Sequence, residues 1–393
     1  MSPHATTRRD LLKQLGLAGV GLSLVNVPGW ALPVLAQGET LVAFTDIPPT
    51  FNPGANPTAI SRQYDIRKLE PFTPRDQFFT TQHYGHPDTD PATFKLKITG
   101  LVNKPATYSV DDIKMMRATD VVAGFECSGN SPRSVQGLAS NGKWTGVPLK
   151  VLLDRAGVQP QARELVFFGA DHGTEEIEWR TQKFTHEQQF GRSLNREQAA
   201  SPDILVAYAL NGEPLTKHQG SPLRLVVPGW YGVANVKWLT NIHVQEDAYL
   251  GRFQARWYRT LRGEMIDGEM KWKESAVTRL RLKSVIARVT TNGSGGYTIH
   301  GFALNNAQVP IKAIEVKVDD GPWQAATLDK ATLANKYSWK LFSYAWSNPA
   351  KGEHTIVSRA IDANGQIQPT LQELETKNSF LEDNSQFPRK LTI

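Results

Sequence analysis

Val121-Val122-Ala123-Gly124-Phe125-Glu126-Cys127-Ser128-Gly129-Asn130-Ser131-Pro132-Arg133 holds the one cysteine among 393 residues. Val121 to Phe125 reads as an apolar strand, and Ser128 and Gly129 bend the backbone directly after the thiol. A lone thiol makes no intramolecular disulfide. Two readings of it stand. A thiolate presented at a turn suits a metal, a substrate or a redox partner. A buried free cysteine also serves as a small apolar side chain. The rest of the chain bears on the choice.

Outward from this turn the pattern alternates strands with short helices. Phe94-Lys95-Leu96-Lys97-Ile98 alternates strictly and ends at Gly100. Ser109 is placed to cap a short helix beginning Val110-Asp111-Asp112-Ile113. Leu149 to Ala156 reads as a helix closed by Gly157. Leu165 to Phe168, Ile204 to Leu210 and Leu223 to Val227 are apolar strands; the first ends at Gly169-Ala170-Asp171 and the second at the turn Asn211-Gly212. The expected body is α+β, preceded by an irregular arm over residues 40–80, rich in Pro, Asn and Thr. From about Leu282 short alternating strands recur: Tyr297 to His300, Ile314 to Val318, Tyr337 to Phe342 and His354 to Ile361. Asn292-Gly293 and Asp319-Asp320-Gly321 supply turns, which predicts an immunoglobulin-like β-sandwich beginning near residue 281.

The first 36 residues read as an export signal. Arg8-Arg9 precede a short apolar run, Leu15 to Val25, and Leu35-Ala36-Gln37 offers a cleavage point. The run is too short and glycine-rich for a stable membrane span. A twin-arginine signal exports folded proteins, so it predicts a periplasmic protein whose cofactor is inserted before export. Residues 37–280 would form the catalytic body and 281–393 the sandwich. Without Arg8, Arg9, Lys13 and Asp10, 41 basic residues face 37 acidic ones, a net charge of +4. That is too mild for a nucleic-acid-binding chain. One cationic stretch, Arg252, Arg256, Arg259, Arg262, Lys271, Lys273, Arg279, Arg281 and Lys283, reads as a solvated face, with docking of an acidic partner as the alternative.

Four segments stand out in order and spacing: Glu126-Cys127-Ser128-Gly129-Asn130; Trp144-Thr145-Gly146-Val147-Pro148-Leu149; Asn211-Gly212-Glu213-Pro214-Leu215 continuing to Ser221-Pro222-Leu223-Arg224-Leu225-Val226-Val227-Pro228-Gly229; and Val236-Lys237-Trp238-Leu239. With the sandwich that follows, they resemble the sulfite oxidase family of molybdopterin enzymes, from about Phe78 to the C-terminus. The resemblance implies molybdenum held by one molybdopterin dithiolene and by Cys127. It implies Tyr258 as the active-site tyrosine, His83 and Asp171 beside the cofactor, and Arg224 and Lys237 as cations for its phosphate or other contacts. Arg224 lies inside an apolar strand, where an unpaired charge is costly, so a buried partner is expected, with a purely structural ion pair as the alternative to a cofactor role. His86 and His172 have no match and read as loop histidines. A homodimer through the sandwich is also implied.

The chain departs from the family where sulfite would bind. Thr81, Pro132 and the segment Asn378-Ser379-Phe380-Leu381 stand where arginines are expected, although Arg133 follows Pro132 and offers itself as a substitute catalytic cation. Gln219 replaces a histidine, with His218 shifted by one. Loss of one charged hydrogen bond to a substrate costs about 1.5–3 kcal/mol. The leading expectation is oxidation of sulfite or a related sulfur compound, with water as oxygen source. No haem-attachment or cluster-binding cysteines are present, so electrons would leave to a separate c-type cytochrome. The alternatives are an S- or N-oxide reductase on the same cofactor, or a binding protein on this scaffold.

Overall fold

The computed structural model describes Leu35, residues 38–48, Phe51 and residues 61–393, without the side chain of Arg133. The expected export signal lies outside the described residues, Leu35 apart.

The N-terminal body is mostly sheet, with short helices. One sheet runs Ala106–Ser109, Lys95–Gly100, Leu239–Gln245, Glu164–Trp179, Gln182–Asn195. Its neighbours are antiparallel except for Lys95–Gly100 beside Leu239–Gln245. A second sheet runs Glu213–Pro214, Leu205–Leu210, Ala139–Pro148, Thr119–Glu126, with Arg224–Val226 also pairing on Leu205–Leu210. Alternation in Lys95–Gly100 turns Leu96 and Ile98 into the core while the lysines face out. The helix Leu149–Ala156 buries Leu149, Leu152, Leu153 and Ala156, one stripe at helical spacing. Each buried leucine stabilises by about 1.5–3 kcal/mol. Gly157, left-handed at φ 67, ends the helix where a side chain would be strained. Ser109 caps Val110–Lys114 through a full capping box with Asp112.

The C-terminal sandwich stacks Thr40–Val42, Lys283–Thr291, Gly296–Leu304, Lys340–Ser347 and Thr327–Leu328 against Gln324–Ala325, Ile311–Val318, Glu353–Asp362 and Arg389–Thr392. Ile286, Val289, Ile299, Ile314, Val316 and Ile356 fill the space between the sheets. The early segment is threaded through both parts. Thr40–Val42 pairs with Lys283–Thr291 in the sandwich. Tyr64, Ile66 and Leu69 share a buried cluster with Ala139 of the body and Val285, Phe302 and Trp339 of the sandwich. A hairpin, Arg259–Ile266 and Glu269–Ala276, joins Lys377–Asn378 in a further small sheet. No helix among the described residues is long and apolar enough to cross a membrane.

The cationic stretch is not one solvated face. Arg252 and Arg256 reach the buried Glu175, and Arg262 and Arg281 approach the buried Glu382 at 3.6 Å each. Lys283 is itself buried against Glu126. These charges are drawn inward because carboxylates distant in sequence are buried opposite them.

Candidate active site

Cys127 directly follows the strand Thr119–Glu126. Its amide donates to Leu138 O at 2.9 Å, and Asn130 N closes the turn onto Cys127 O at 2.9 Å. Burial pushes the thiol up, while the Gly129 amide and the Thr81 hydroxyl favour the thiolate. A soft metal cation would reverse the effect of burial. Among the described residues no cluster of three His, Cys, Asp or Glu is placed to hold a metal. A metal at Cys127 therefore needs a cofactor that brings its own ligands.

The thiol lines a cleft of about 670 Å³, part of it open to solvent. Six of the seven residues singled out in the sequence line it: Cys127, Tyr258, His83, Asp171, Arg224 and Lys237. The seventh, Arg133, has its backbone in the short 3-10 turn Pro132–Ser134, and its side chain lies outside the described atoms.

Tyr258 Oη lies 2.8 Å from His83 Nε2. Burial lowers His83 to about 4, helped by Lys237 and Arg252, so the imidazole is neutral at neutral pH. Burial, then the nearby Cys127, raises the Tyr258 phenol well above its usual value, against the pull of Arg192. The pair thus holds one shareable proton over the cleft. The His83 ring stacks on Phe253 at 4.6 Å and beside Phe190 at 6.2 Å, with Trp257 edge-on. One π-helical turn, Arg252–Arg256, carries the chain into Tyr258. Its backbone is held from two sides. Arg252 pairs with Glu175, which also accepts from Tyr84 Oη, and the buried Arg192 donates to Phe253 O.

Asp171 sits where the register of the two longest strands shifts, between Phe168 and His172. Such a bulge re-aims a side chain. A Cβ on Gly169 would strike Asp171 Oδ1 and Lys237 O, so only glycine lets them approach. Asp171 is 4% exposed, and its Oδ1 has no hydrogen-bond partner among the described residues. Burial pushes this carboxyl up. Lys237 Nζ donates to Gln82 Oε1 at 3.2 Å and lies 4.4 Å from the Trp238 ring centroid. Burial, then the charge of Arg224, lowers the ammonium, and Asp171 opposes them.

Arg224 has buried partners, as expected, and they are not an ion pair. Nη1 donates to Gln219 O and Nη2 to Asn235 O, each at 2.9 Å, and the guanidinium lies over Trp144 and Phe125. Carbonyls and aromatic faces, not a carboxylate, satisfy it. Burial lowers it to about 9, which leaves it charged at neutral pH. The cleft thus combines a thiol, a buried carboxylate oxygen and two cations, the oxygen without a hydrogen-bond partner and the cations without a paired anion among the described residues. A molybdopterin fits this set. Its dithiolene metal would meet Cys127, its N–H donors Asp171, and its phosphate the cations.

His86 and His172 are not loop histidines of one kind. His172 lies within the strand Glu164–Trp179 with its side chain exposed toward Glu187. His86 Nε2 lies 2.9 Å from His218 Nδ1, and His218 lines the cleft. Burial and surrounding cations lower both, His86 to about 4. Nothing local marks two histidines 132 residues apart as a pair. The one-residue shift noted in the sequence now has a structural form. His218 faces the cleft, while Gln219 is buried and donates to Arg75 O. Thr81 lines the cleft, and the ring of Phe380, 78% exposed, lies 3.6 Å from where a Cβ on Gly129 would sit.

This fold and cleft define a class. The oxidoreductase molybdopterin binding domain matches residues 83–253 and the Mo-co oxidoreductase dimerisation domain residues 269–381. The chain belongs to the sulfite oxidase family of molybdopterin-dependent oxidoreductases, and its cofactor is the molybdopterin of that family. Among its relatives is human mitochondrial sulfite oxidase, 29% identical over 348 residues, 81% of this chain and 60% of that protein. Sulfite oxidase of Arabidopsis thaliana is 26% identical over 329 residues, 76% of this chain and 82% of that protein. Among solved structures, sulfane dehydrogenase SoxCD from Paracoccus pantotrophus superposes with a TM-score of 0.71 at 26% identity, covering 90% of each chain. The chain spans 55% to 60% of the length of the fly and human sulfite oxidases it matches.

Proposed function

We propose that this protein oxidises a reduced sulfur compound less charged than sulfite, of the sulfane type, with water as the oxygen source. One observation carries the choice. The cofactor residues Cys127, Asp171, Arg224 and Lys237 line one cleft together with Thr81, and the exposed ring of Phe380 lies against Gly129 beside the thiol; the resemblance leads one to expect arginines at Thr81 and Phe380. An oxyanion needs forked cations, and an apolar rim suits a weakly charged sulfur chain.

A bound molybdenum–dithiolene centre supplies two-electron oxygen-atom transfer. The protein supplies the rest. Cys127 would hold the metal, Asp171 would accept from the pterin, and Arg224 and Lys237 would offset the cofactor's anionic charge. Water gives its oxygen to sulfur and releases two protons, and the sulfur gives up two electrons. Tyr258 and His83 move a proton at the Tyr258 oxygen. Phe190, Phe253 and Trp257 keep water from the far side of that pair. The electrons leave one at a time to an external c-type cytochrome. The twin arginines support a periplasmic address, and the dimerisation domain supports a homodimer.

Steady-state assays with cytochrome c test this reading. The expected result is saturation with a polysulfide or hydrodisulfide at concentrations where sulfite is far from saturating. Tight saturation with sulfite would overturn the charge argument. The apolar rim also suits a neutral S-oxide, and reduction of one by a molybdenum-loaded enzyme inert to every reduced sulfur compound would establish the reductase reading instead.

A further inference from the structure

The residue before the thiol carries a buried charge whose partner comes from the other end of the chain. Glu126 closes the strand Thr119–Glu126, and Lys283 opens the sandwich strand Lys283–Thr291. Lys283 Nζ lies 2.8 Å from Glu126 Oε1, with side chains 3% and 2% exposed. A pair buried this deeply adds little stability over apolar residues of the same shape, and one use of such pairs is to fix a geometry. The geometry here is that of the thiol loop. Glu126 Oε1 also accepts from Asn130 Nδ2 at 3.0 Å. Asn130 then uses every position it has: Nδ2 donates to Gln136 O, and Oδ1 accepts from Ser134 Oγ and Leu138 N. Leu138 O in turn receives the amide of Cys127.

The loop needs such fastening. Val135 and Gln136 are both left-handed, at φ 49 and 58, a conformation that disfavours a β-branched residue. Two more grips come from the C-terminal part. Glu382 N donates to Ser128 O at 2.7 Å, and Arg389 Nη2 donates to Val135 O at 3.2 Å.

We propose that Lys283 is a positioning residue for the cofactor thiolate: through Glu126 and Asn130, the C-terminal sandwich holds the loop that presents Cys127 to the metal. The sandwich thus acts on the metal site as well as joining subunits. The inference rests on Cys127 as the cofactor's protein ligand, and not on the choice of substrate.

Because Cys127 is the sole cysteine, its alkylation rate in cofactor-free protein reports on this loop alone. The test compares wild type, Lys283→Met, the charge-free pair Glu126→Leu/Lys283→Met, and Arg359→Met. The last breaks the sandwich ion pair with Glu315 at 2.6 Å, away from the loop. All are assayed well below their melting temperatures, with circular dichroism to verify folding. Lys283→Met and the charge-free pair are expected to alkylate about tenfold faster than wild type, through easier local opening, while Arg359→Met keeps the wild-type rate. The charge-free pair decides the matter even if the single variant fails to fold. A wild-type rate in that pair overturns the proposal, and so does equal acceleration in Arg359→Met. The same variants, made in a host that supplies molybdopterin, should carry less molybdenum per chain. Wild type without molybdenum would instead count against the cofactor reading, and the alkylation result would still stand.

Discussion

Cys127 and Tyr258 face the same cleft with separate tasks, and substitution separates them. Cys127→Ser exchanges a soft, acidic ligand for a hard hydroxyl that stays protonated. The folded variant should leave a molybdopterin-competent host nearly free of molybdenum, against one metal per wild-type chain by elemental analysis. Full metal content would remove Cys127 from the ligand set. Tyr258→Phe should keep its metal and lose about 10²–10⁴ in kcat, the range for a positioned proton-transfer group. His83 adds a pH signature. Its value near 4 means that it gains a proton only as pH falls toward 4. The acid limb of kcat/KM that depends on His83 should therefore lie near pH 4, and not near the 6.5 of a free imidazole, and His83→Asn should abolish it. A limb near 6.5 that disappears in His83→Asn would show a solvated histidine and contradict its stacking on Phe253.

At the scale of elements, the π-helical turn Arg252–Arg256 places Tyr258, and Glu175 anchors that turn. Glu175 is 1% exposed, while Arg252 is 21% exposed. Glu175→Ala should cost about 2–4 kcal/mol in urea unfolding, somewhat below a fully buried pair because Arg252 reaches solvent. It should lower kcat with metal content unchanged, since the tyrosine loses its support. Wild-type kcat in the variant would mean that Arg192 alone holds the turn. The sequence made some elements plain and hid others for physical reasons. The helix Leu149–Ala156, the cap at Ser109 and the strand before Cys127 were legible because one face of each is apolar and a turn residue ends it. The hairpin Arg259–Ile266 with Glu269–Ala276 was not, because both strands are largely exposed and carry charges in place of an alternating apolar face. The site residues matched by family motif were legible one at a time. The His86–His218 contact and the Glu126–Lys283 pair depend on which distant segments the fold brings together, and no local pattern encodes that.

Across the whole molecule the two parts are not independent, because Tyr64, Ile66 and Leu69 fill a cluster made by Ala139 on one side and Val285, Phe302 and Trp339 on the other. Separating them would expose that cluster and strip Glu126 of Lys283. Calorimetry of the cofactor-free chain should therefore show one transition, with calorimetric and van't Hoff enthalpies equal. A titrating group in the sandwich makes the coupling measurable. His300, on the strand Gly296–Leu304, is lowered to about 4 by burial and then by Arg288, with Glu39 opposing. The unfolded histidine binds its proton near 6.5, so between 6.5 and 4 the unfolded chain holds more protons than the folded one. The stability from keeping His300 neutral is therefore complete above pH 6.5 and is lost as pH falls toward 4, by about 3 kcal/mol on linkage grounds. His300→Asn should flatten this slope. If the molecule is one cooperative unit, the flattening will appear equally in the fluorescence of body tryptophans such as Trp144 and in sandwich signals such as Trp346, although His300 hydrogen-bonds Thr290 within the sandwich. A second transition, or flattening confined to the sandwich signal, would show that the shared cluster does not couple the two parts.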